Sequence, residues 1–432
     1  MGLTPAPIPA RLAAATIVDA APAIDRSPFP IGRFQAETDM TIGGSSAAAQ
    51  LAAIAPWASP APAITSAERL ARIDRARALT EAAGAQALLV HTGASLQYFT
   101  GIPWGPSERM VALLLPVTGT PRIICPAFER GTLEADLTIP AELLLWEEDA
   151  DPTALVAGAL PAGATLAVDP LLPFAWGQKL ARHGLTLADG APAIDGCRQV
   201  KSPAELALLQ QAKDMTLQVQ AAAARILRPG ILASEVVRFI DDAHRAVGGG
   251  GSFFCIVQFG RATAFPHGLP GDRALAEGEL VLIDTGCRVE GYHSDITRTY
   301  AFGQVADEVR AIWDIEHAAQ AAAFAAAAPG VPAQAVDAAA RAVLVREGLG
   351  PDYRLPGLPH RTGHGIGLSI HEPAYLVRGD TTPLEPGMCF SSEPMIVVPD
   401  RFGIRLEDHF FVTDTGAQWF TQPQPSIDRP FG

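Results

Sequence analysis

Acidic residues next to predicted apolar strands are the residues of this sequence most suited to binding a cation. The segment Leu280–Thr299 begins with four apolar residues, which end at Asp284, and a second carboxylate, Asp295, follows later in the segment. Apolar runs around Gly286 and Gly291 predict the two strands of a hairpin. Two carboxylates at the inner end of a hairpin repel each other unless a cation lies between them. A solvated or salt-bridged pair of surface acids is the alternative interpretation of this segment alone.

Three further candidate ligands follow in predicted strands and loops. His364 lies between glycines in HRTGHGIGLSIHEP, Glu393 lies in CFSSEPMIVV and Glu407 lies in GIRLEDHFFVT. A single histidine is more often structural than a ligand, but an unpaired carboxylate beside an apolar strand is costly. With Asp284 and Asp295 they make one imidazole and four carboxylates. Such a set suits two divalent cations such as Mn²⁺, Co²⁺ or Zn²⁺, which could activate water to hydrolyse an amide.

Composition restricts the class of protein. The chain has 432 residues, which predicts two to three domains, and a hydrophobic fraction of 48% is enough for large cores. A net charge of −14 disfavours a nucleic-acid partner, and no apolar run approaches the length of a membrane span. Five scattered cysteines without a CxxC pair argue against a disulfide framework and suit a reducing, cytoplasmic location. A weak export signal near the N-terminus is the alternative.

Local patterns divide the chain into three parts. Residues 1–64 are rich in alanine and proline and are predicted to be an extension. Helices alternate with strands over residues 65–197, which predicts an α/β domain with a structural or oligomerisation role. The segment Ile194–Pro203 is interpreted as a linker. Ser202 and Glu205 then form a capping-box pattern that opens the third part, residues 198–432, in which helix pairs and strands predict an α+β domain with a curved antiparallel sheet.

The motifs of the third part resemble those of a known family. DTG…GYHSDITRT, GHGIGLSIHEP, SSEP and IRLED occur in the order and spacing seen in pita-bread metallopeptidases. Within that family they are similar to the proline-specific branch, the Xaa-Pro dipeptidases (prolidases) and Xaa-Pro aminopeptidases. The resemblance is close over about 200–425 and looser for the N-terminal domain, which is creatinase-like. It implies a pita-bread catalytic domain, two divalent metal ions with Mn²⁺ favoured over Co²⁺ or Zn²⁺, and a homodimer.

The resemblance also assigns the metal ligands by position. Asp284 would bind one metal ion, and His364 with Glu393 would bind the other. Asp295 and Glu407 would bridge the two ions. Glu393 would in addition transfer the proton that activates the attacking water.

A second set of residues matches the substrate side of the family's site. His267, in the FPHG loop, and His371, in the HEP motif, match histidines that contact the substrate or stabilise the tetrahedral intermediate. Arg405 and Arg378 match arginines near the substrate carboxylate. Thr297 could hydrogen-bond a ligand carboxylate.

The function favoured by the resemblance is hydrolysis of the Xaa-Pro bond in dipeptides, with a small peptide as substrate and no nucleic-acid or membrane partner. An Xaa-Pro aminopeptidase that acts on longer peptides is the main alternative. A creatinase-type amidinohydrolase generally lacks the five ligands, and a methionine aminopeptidase lacks the additional N-terminal domain. A metal-free peptide-binding module is the alternative from another class of protein, although such modules have lost ligands that this chain keeps.

Overall fold

The structure is a computed structural model that describes residues 42–432. Most of the predicted extension therefore lies outside the described residues. Within its last part, helix α1 (Ala47–Ala53) begins at Ser46, whose hydroxyl accepts a hydrogen bond from the amide of Ala49 at 3.2 Å. Leu51 and Trp57 pack against a buried apolar cluster of the C-terminal part. Regular structure thus begins before Thr65, where the sequence predicts the first helix.

The N-terminal part is a mixed sheet flanked by helices. Its six strands lie in the order β4-β3-β2-β1-β5-β6. They are β1 (Ala87–His91), β2 (Ala112–Pro116), β3 (Arg122–Pro126), β4 (Glu142–Trp146), β5 (Thr165–Val168) and β6 (Thr186–Asp189). The helices are α2 (Ser66–Ala82), α3 (Ala94–Thr100), α4 (Arg130–Asp136), α5 (Pro152–Gly158), α6 (Phe174–Arg182) and α7 (Ala191–Arg198). Strand β1 is buried along its whole length, as expected for a central strand with helices on both faces.

The segment Ile194–Pro203, predicted as a linker, is not an exposed, irregular connection. Helix α7 occupies its first half, and both Arg198 and Lys201 are buried rather than exposed. Their positive charges face a buried carboxylate of the C-terminal part, which is why this short connection is held in place. The capping box is confirmed, since Ser202 accepts from the Glu205 amide at 3.2 Å and Glu205 accepts from the Ser202 amide at 2.9 Å.

The C-terminal part contains four long helices and several antiparallel sheets. The helices are α8 (Pro203–Arg225), α9 (Ala233–Val247), α10 (Asp307–Ala326) and α11 (Ala333–Arg346). The strands are β7 (Phe254–Phe259), β8 (Glu279–Gly286), β9 (Arg288–Val289), β10 (Tyr292–His293), β11 (Ile296–Phe302), β12 (Gly363–Gly365), β13 (Glu372–Leu376), β14 (Cys389–Ser392), β15 (Met395–Val398), β16 (Phe402–Arg405), β17 (Asp408–Thr413) and β18 (Gly416–Trp419). Two short 3₁₀ segments, Ala127–Glu129 and Gly260–Ala264, complete the described elements.

Two antiparallel sheets position the candidate ligands. One has the order β11-β8-β7, and the other has the order β13-β12-β14-β17-β18. Helices α10 and α11 cover the second sheet through small side chains, with Ala319, Ala323 and Ala340 buried in their shared core. A further apolar core runs without interruption from the N-terminal sheet to residues of α8 and β10 in the C-terminal part. Among residues 42–432, no helix combines the length and apolar character that a membrane crossing requires.

Candidate active site

The predicted hairpin brings its two carboxylates together. Strands β8 and β11 pair with Asp284 opposite Thr297, and Asp295 lies immediately before β11. A small ribbon, β9 with β10, forms the tip of the hairpin beyond the two acids. Asp284 and Asp295 are both buried, and the charge of each acts on the other.

His364 joins these acids from the second sheet. Its Nε2 lies 3.2 Å from Oε1 of Glu393 and 3.7 Å from Oδ2 of Asp295. Its Nδ1 donates a hydrogen bond to the carbonyl oxygen of Gly365 at 3.0 Å. Because that bond holds the proton on Nδ1, the Nε2 lone pair faces the carboxylates, which is the form of histidine that binds a metal.

Glycines on both sides of His364 are required by close contacts between strands. A Cβ atom at Gly363 would lie 2.0 Å from the carbonyl oxygen of Ser391 in β14. A Cβ atom at Gly365 would lie 2.6 Å from the carbonyl oxygen of Glu372 in β13. Any side chain at either position would push β12 away from its neighbours and move His364 from the carboxylates.

Glu407 completes the cluster through contacts with the hairpin. The Thr297 hydroxyl donates to Oε2 of Glu407 at 2.8 Å, and Nε of Arg405 donates to the Thr297 hydroxyl at 3.0 Å. The Arg405 guanidinium also forms an ion pair with Asp284. Oδ1 of Asp284 and Oε1 of Glu407 are buried without a hydrogen-bond partner. Two buried carboxylate oxygens that lack partners are the donors that a divalent cation would bind.

The electrostatics of the cluster favour a cation. Burial raises the pKa of Asp284 and Asp295, and burial together with the charge of Glu393 raises that of Glu407. Burial also acts to raise the pKa of Glu393, but without a metal ion a doubly protonated His364 would donate to it from Nε2 and lower that pKa to about 2. Four carboxylates held at such short range need more positive charge than Arg405 supplies. The five predicted residues therefore fit a centre for hard or borderline divalent cations.

Two of the predicted substrate-side residues lie at an exposed edge of this cluster. The ring of His371 meets that of His364 edge-on, with centroids 4.2 Å apart. Burial and the charges of His364 and Arg361 lower the pKa of His371 to about 4. His267 lies on an exposed loop, and its charge acts on His371 as well.

The two predicted arginines lie in different surroundings. Arg405 is buried, and its contacts are with Thr297 and Asp284. Arg378 is exposed and forms an ion pair with Asp352, beside an open cleft along α11. The structure brings Arg405 into the cluster and holds Arg378 by contacts outside it.

A buried ion triad behind His371 was not anticipated from the sequence. Glu372, the next residue, accepts from Nζ of Lys201 at 2.8 Å and from the Arg198 guanidinium at 2.5 Å. Arg198 also donates to the hydroxyls of Ser95 at 2.9 Å and Ser369 at 2.8 Å. The triad thus ties the end of the N-terminal part to the loop that carries His371. No local pattern could have indicated it, because its two cations lie in the segment interpreted as a linker.

A second residue missed by the sequence analysis is His409. It is fully buried, and neither ring nitrogen has a hydrogen-bond partner. Burial and the charge of the nearby Lys213 lower its pKa well below the ordinary histidine value. One signal was available, because residues two apart on a strand share a face, and His409 is two residues from Glu407.

Comparisons with known proteins identify the family of this chain. A model of metallopeptidase family M24 matches residues 207–414, and a model of the Creatinase/Prolidase N-terminal domain matches residues 72–200. The probable dipeptidase PepE of Mycobacterium tuberculosis (strain ATCC 25618 / H37Rv) is 37% identical over 358 residues, which cover 80% of this chain and 92% of that protein. The chain belongs to metallopeptidase family M24. Membership confirms the predicted family, the α+β fold with its creatinase-like N-terminal domain, and hydrolysis of peptides by an enzyme that uses divalent metal ions.

Solved structures of two relatives have the same fold. The crystal structure of dipeptidase PepE from Mycobacterium ulcerans matches with a TM-score of 0.77 and 36% identity. The match covers 84% of this chain and 97% of the PepE chain. The crystal structure of a prolidase from Thermococcus sibiricus has a TM-score of 0.76 and 29% identity, with coverage of 84% and 98%. The pita-bread fold predicted for the C-terminal part is therefore that of M24 peptidases.

Proposed function

We propose that this M24 peptidase is a dinuclear-metal-dependent Xaa-Pro dipeptidase. The observation that carries the proposal is the convergence of one imidazole and four carboxylates, two of which have buried oxygen atoms without a partner. The names of its relatives, a probable dipeptidase and a prolidase, support the same substrate class.

The five donor residues would hold two divalent ions, with Mn²⁺ proposed first and Co²⁺ or Zn²⁺ as alternatives. Asp284, with the shared ligands Asp295 and Glu407, would hold one ion, and His364 with Glu393 would complete the other site. When bound, such ions polarise a carbonyl group and make water acidic enough to lose a proton near neutral pH. Thr297 and Arg405 would keep Glu407 and Asp284 in place through the bonds described above.

Side chains at the exposed edge of the cluster would transfer the proton, stabilise the oxyanion and contact the substrate. Glu393 is the only partly exposed carboxylate of the five ligands, so it can accept the proton of the attacking water and pass it to the leaving nitrogen. His371, held against His364, can donate a hydrogen bond to the developing oxyanion. His267 lies on the loop that faces His371 and can contact the substrate.

A prolyl peptide bond suits this arrangement. The nitrogen of proline carries no hydrogen, so an enzyme that depends on that N–H for binding handles the bond poorly. Carboxylates, metal ions and imidazoles act on the carbonyl carbon and oxygen and require no such hydrogen bond. We propose that this property underlies proline specificity here.

The test compares dipeptides with a tripeptide. The protein is treated with a chelator, reloaded with Mn²⁺, Co²⁺ or Zn²⁺, and assayed with Gly-Pro, Ala-Pro and Ala-Pro-Ala. We expect metal-restored cleavage of the dipeptides alone. Equal or better cleavage of Ala-Pro-Ala would make it an Xaa-Pro aminopeptidase, and absence of bound metal would favour a peptide-binding module.

Matched variants connect this activity to the site. Glu393→Gln removes the proposed proton acceptor, and we expect it to lower kcat by roughly 10²–10⁴-fold with the fold intact. Glu347→Gln, an exposed glutamate paired with Arg346, serves as the control and should leave kcat unchanged. Equal activity of the two variants would contradict the assignment of Glu393.

We further propose a cytoplasmic homodimer that associates through residues 65–197. Three large apolar side chains, Phe128, Leu171 and Phe174, are exposed in that part, which supports an interface there. All five cysteines are free thiols, which suits a reducing compartment. Light scattering of the native protein and of Phe174→Asp would test the dimer, which the variant should weaken.

A further inference from the structure

We propose that His409 supplies a sixth donor residue to the metal centre, an imidazole nitrogen for one of the two cations that Asp295 and Glu407 would bridge. This inference rests on the proposed dinuclear centre and extends it beyond the five residues with motif support. It also bears on which metal the site prefers.

Strand geometry directs His409 toward the cluster. Glu407 immediately precedes β17, and His409 is the second residue of that strand, so their side chains share one face. Asp408 points to the opposite face, where Arg298 donates to it at 2.7 Å and Thr421 at 2.9 Å. His409 is therefore separated from that polar network by the strand itself.

The positions of the ligand atoms suit a bound ion. One ligand atom from each of Asp295, Glu407 and His409 lies within 4.8 Å of the other two. Donors on opposite sides of one ion lie about 4.2 Å apart when each is about 2.1 Å from it, so the three groups are near the spacing of ligands on a single ion.

The unpaired state of His409 is a second, independent observation. His409 is fully buried, and neither of its ring nitrogens has a hydrogen-bond partner. Oε1 of the neighbouring Glu407 also has none. A buried polar group without a partner costs roughly 1–3 kcal/mol. His244 is the matched contrast, since it is equally buried but its nitrogens contact the hydroxyls of Thr216 at 3.1 Å and Ser252 at 2.8 Å.

Lys213, a cation whose charge acts on His409, does not replace a metal as its partner. Lys213 is buried, and its ammonium donates to the carbonyl oxygen of His293 at 3.2 Å and lies 4.8 Å from the ring centroid of Phe420. No hydrogen bond joins Lys213 to His409 among the described contacts. The imidazole is left facing Asp295 and Glu407.

A second imidazole changes the expected metal preference. Carboxylates suit Mn²⁺, whereas imidazole nitrogen suits Zn²⁺ and the later transition metals. A centre with His364 and His409 should therefore bind Co²⁺ more tightly relative to Mn²⁺ than a centre with His364 alone.

The experiment measures metal binding rather than turnover. Full-length protein is stripped with a chelator, and the wild type, His409→Leu and His244→Leu are titrated with Co²⁺ and with Mn²⁺ in competition with an indicator. For His409→Leu we expect Co²⁺ affinity to fall roughly 10–100-fold, a smaller loss for Mn²⁺, and an altered visible Co²⁺ spectrum. His244→Leu should bind both metals like the wild type.

Thermal unfolding separates a ligand from a structural histidine. Without metal, His409→Leu should melt at the same temperature as the wild type or higher, because an unpartnered polar group has been removed. The rise in Tm on adding Co²⁺ should be smaller than in the wild type. If the leucine variant does not fold, His409→Asn, which keeps a polar side chain, takes its place in both measurements.

Several results would overturn the inference. Unchanged Co²⁺ affinity and spectrum in the His409 variant would remove His409 from the centre while the five-residue site stands. An equal loss of affinity in the His244 variant would mean that any buried histidine in this region affects binding indirectly. If the wild type bound neither metal, the proposed function itself would fail, and this inference with it.

Discussion

Replacing Glu372 with glutamine would remove the carboxylate charge on which two buried cations converge. Arg198 and Lys201, at the end of the N-terminal part, both bind this side chain. Glutamine keeps the size of the side chain and one acceptor oxygen but loses the charge. Both cations would then be buried opposite a neutral group.

The pKa of Glu372 shows how much the two ion pairs contribute to the free energy of unfolding. Burial by itself would raise that pKa, but the charges of Arg198 and Lys201 lower it from 4.5 to about 2. At ~1.36 kcal/mol for each pH unit, the difference corresponds to roughly 3 kcal/mol of stability at neutral pH. Because the pKa is lower in the folded state, this stability is complete above about pH 4.5 and is lost as the pH falls toward 2.

Urea unfolding of the chelator-treated protein measures this effect. We expect Glu372→Gln to be less stable than the wild type by roughly 3 kcal/mol at pH 7, and by less than about half of that near pH 3. Glu308→Gln is the control, because Glu308 also binds an arginine, Arg401, but on the exposed surface, where an ion pair contributes little. A Glu372 variant as stable as the Glu308 variant at pH 7, or a deficit that does not shrink in acid, would refute the reasoning.

Three further predictions concern Arg405, Arg378 and Gly363. Arg405→Lys should weaken metal binding roughly 10–100-fold, because a lysine cannot hold both Asp284 and Thr297; indicator competition measures this. Arg378→Ala should leave kcat/KM for Ala-Pro unchanged, and a rise in KM would instead place Arg378 at the substrate. Gly363→Ala should cost roughly 1–3 kcal/mol of unfolding free energy, because its Cβ would overlap a carbonyl oxygen of β14. Gly105→Ala, whose Cβ would meet no atom within 4 Å, should be neutral in the same urea assay.

Local patterns were sufficient to predict the parts of the site that lie in well-defined strands and turns. The apolar run that ends at Asp284 could be predicted as a strand. The glycines around His364 indicated close backbone contact, and the structure agrees, since an added Cβ would lie only 2.0 Å (Gly363) or 2.6 Å (Gly365) from a neighbouring carbonyl oxygen. The capping box at Ser202 could likewise be predicted from the sequence, because a helix cap depends on residues only three apart.

The same local patterns failed for residues whose role depends on a distant partner. Lys201 and Glu372 lie 171 residues apart, and Arg198 and Glu372 lie 174 residues apart. The segment IDGCRQVKSP has the charge and glycine content of a linker. Nothing in its composition indicates that its two cations, Arg198 and Lys201, pair with a buried carboxylate. The surroundings of His409 likewise depend on a distant segment, since Asp295 lies more than a hundred residues before it in the chain.

The sequence by itself was sufficient to predict the family, through the resemblance of its motifs to a known one, and to propose the five candidate metal ligands. Motif order, residue types and strand periodicity are properties of short segments, so they can be recognised without a structure. Only the tertiary structure decided which cations neutralise Glu372. It also decided that Arg405 lies among the candidate ligands while Arg378 lies on the surface, and that His409 faces Asp295. Each of those outcomes depends on how separate sheets pack, because burial and electrostatic partners arise only when distant segments meet.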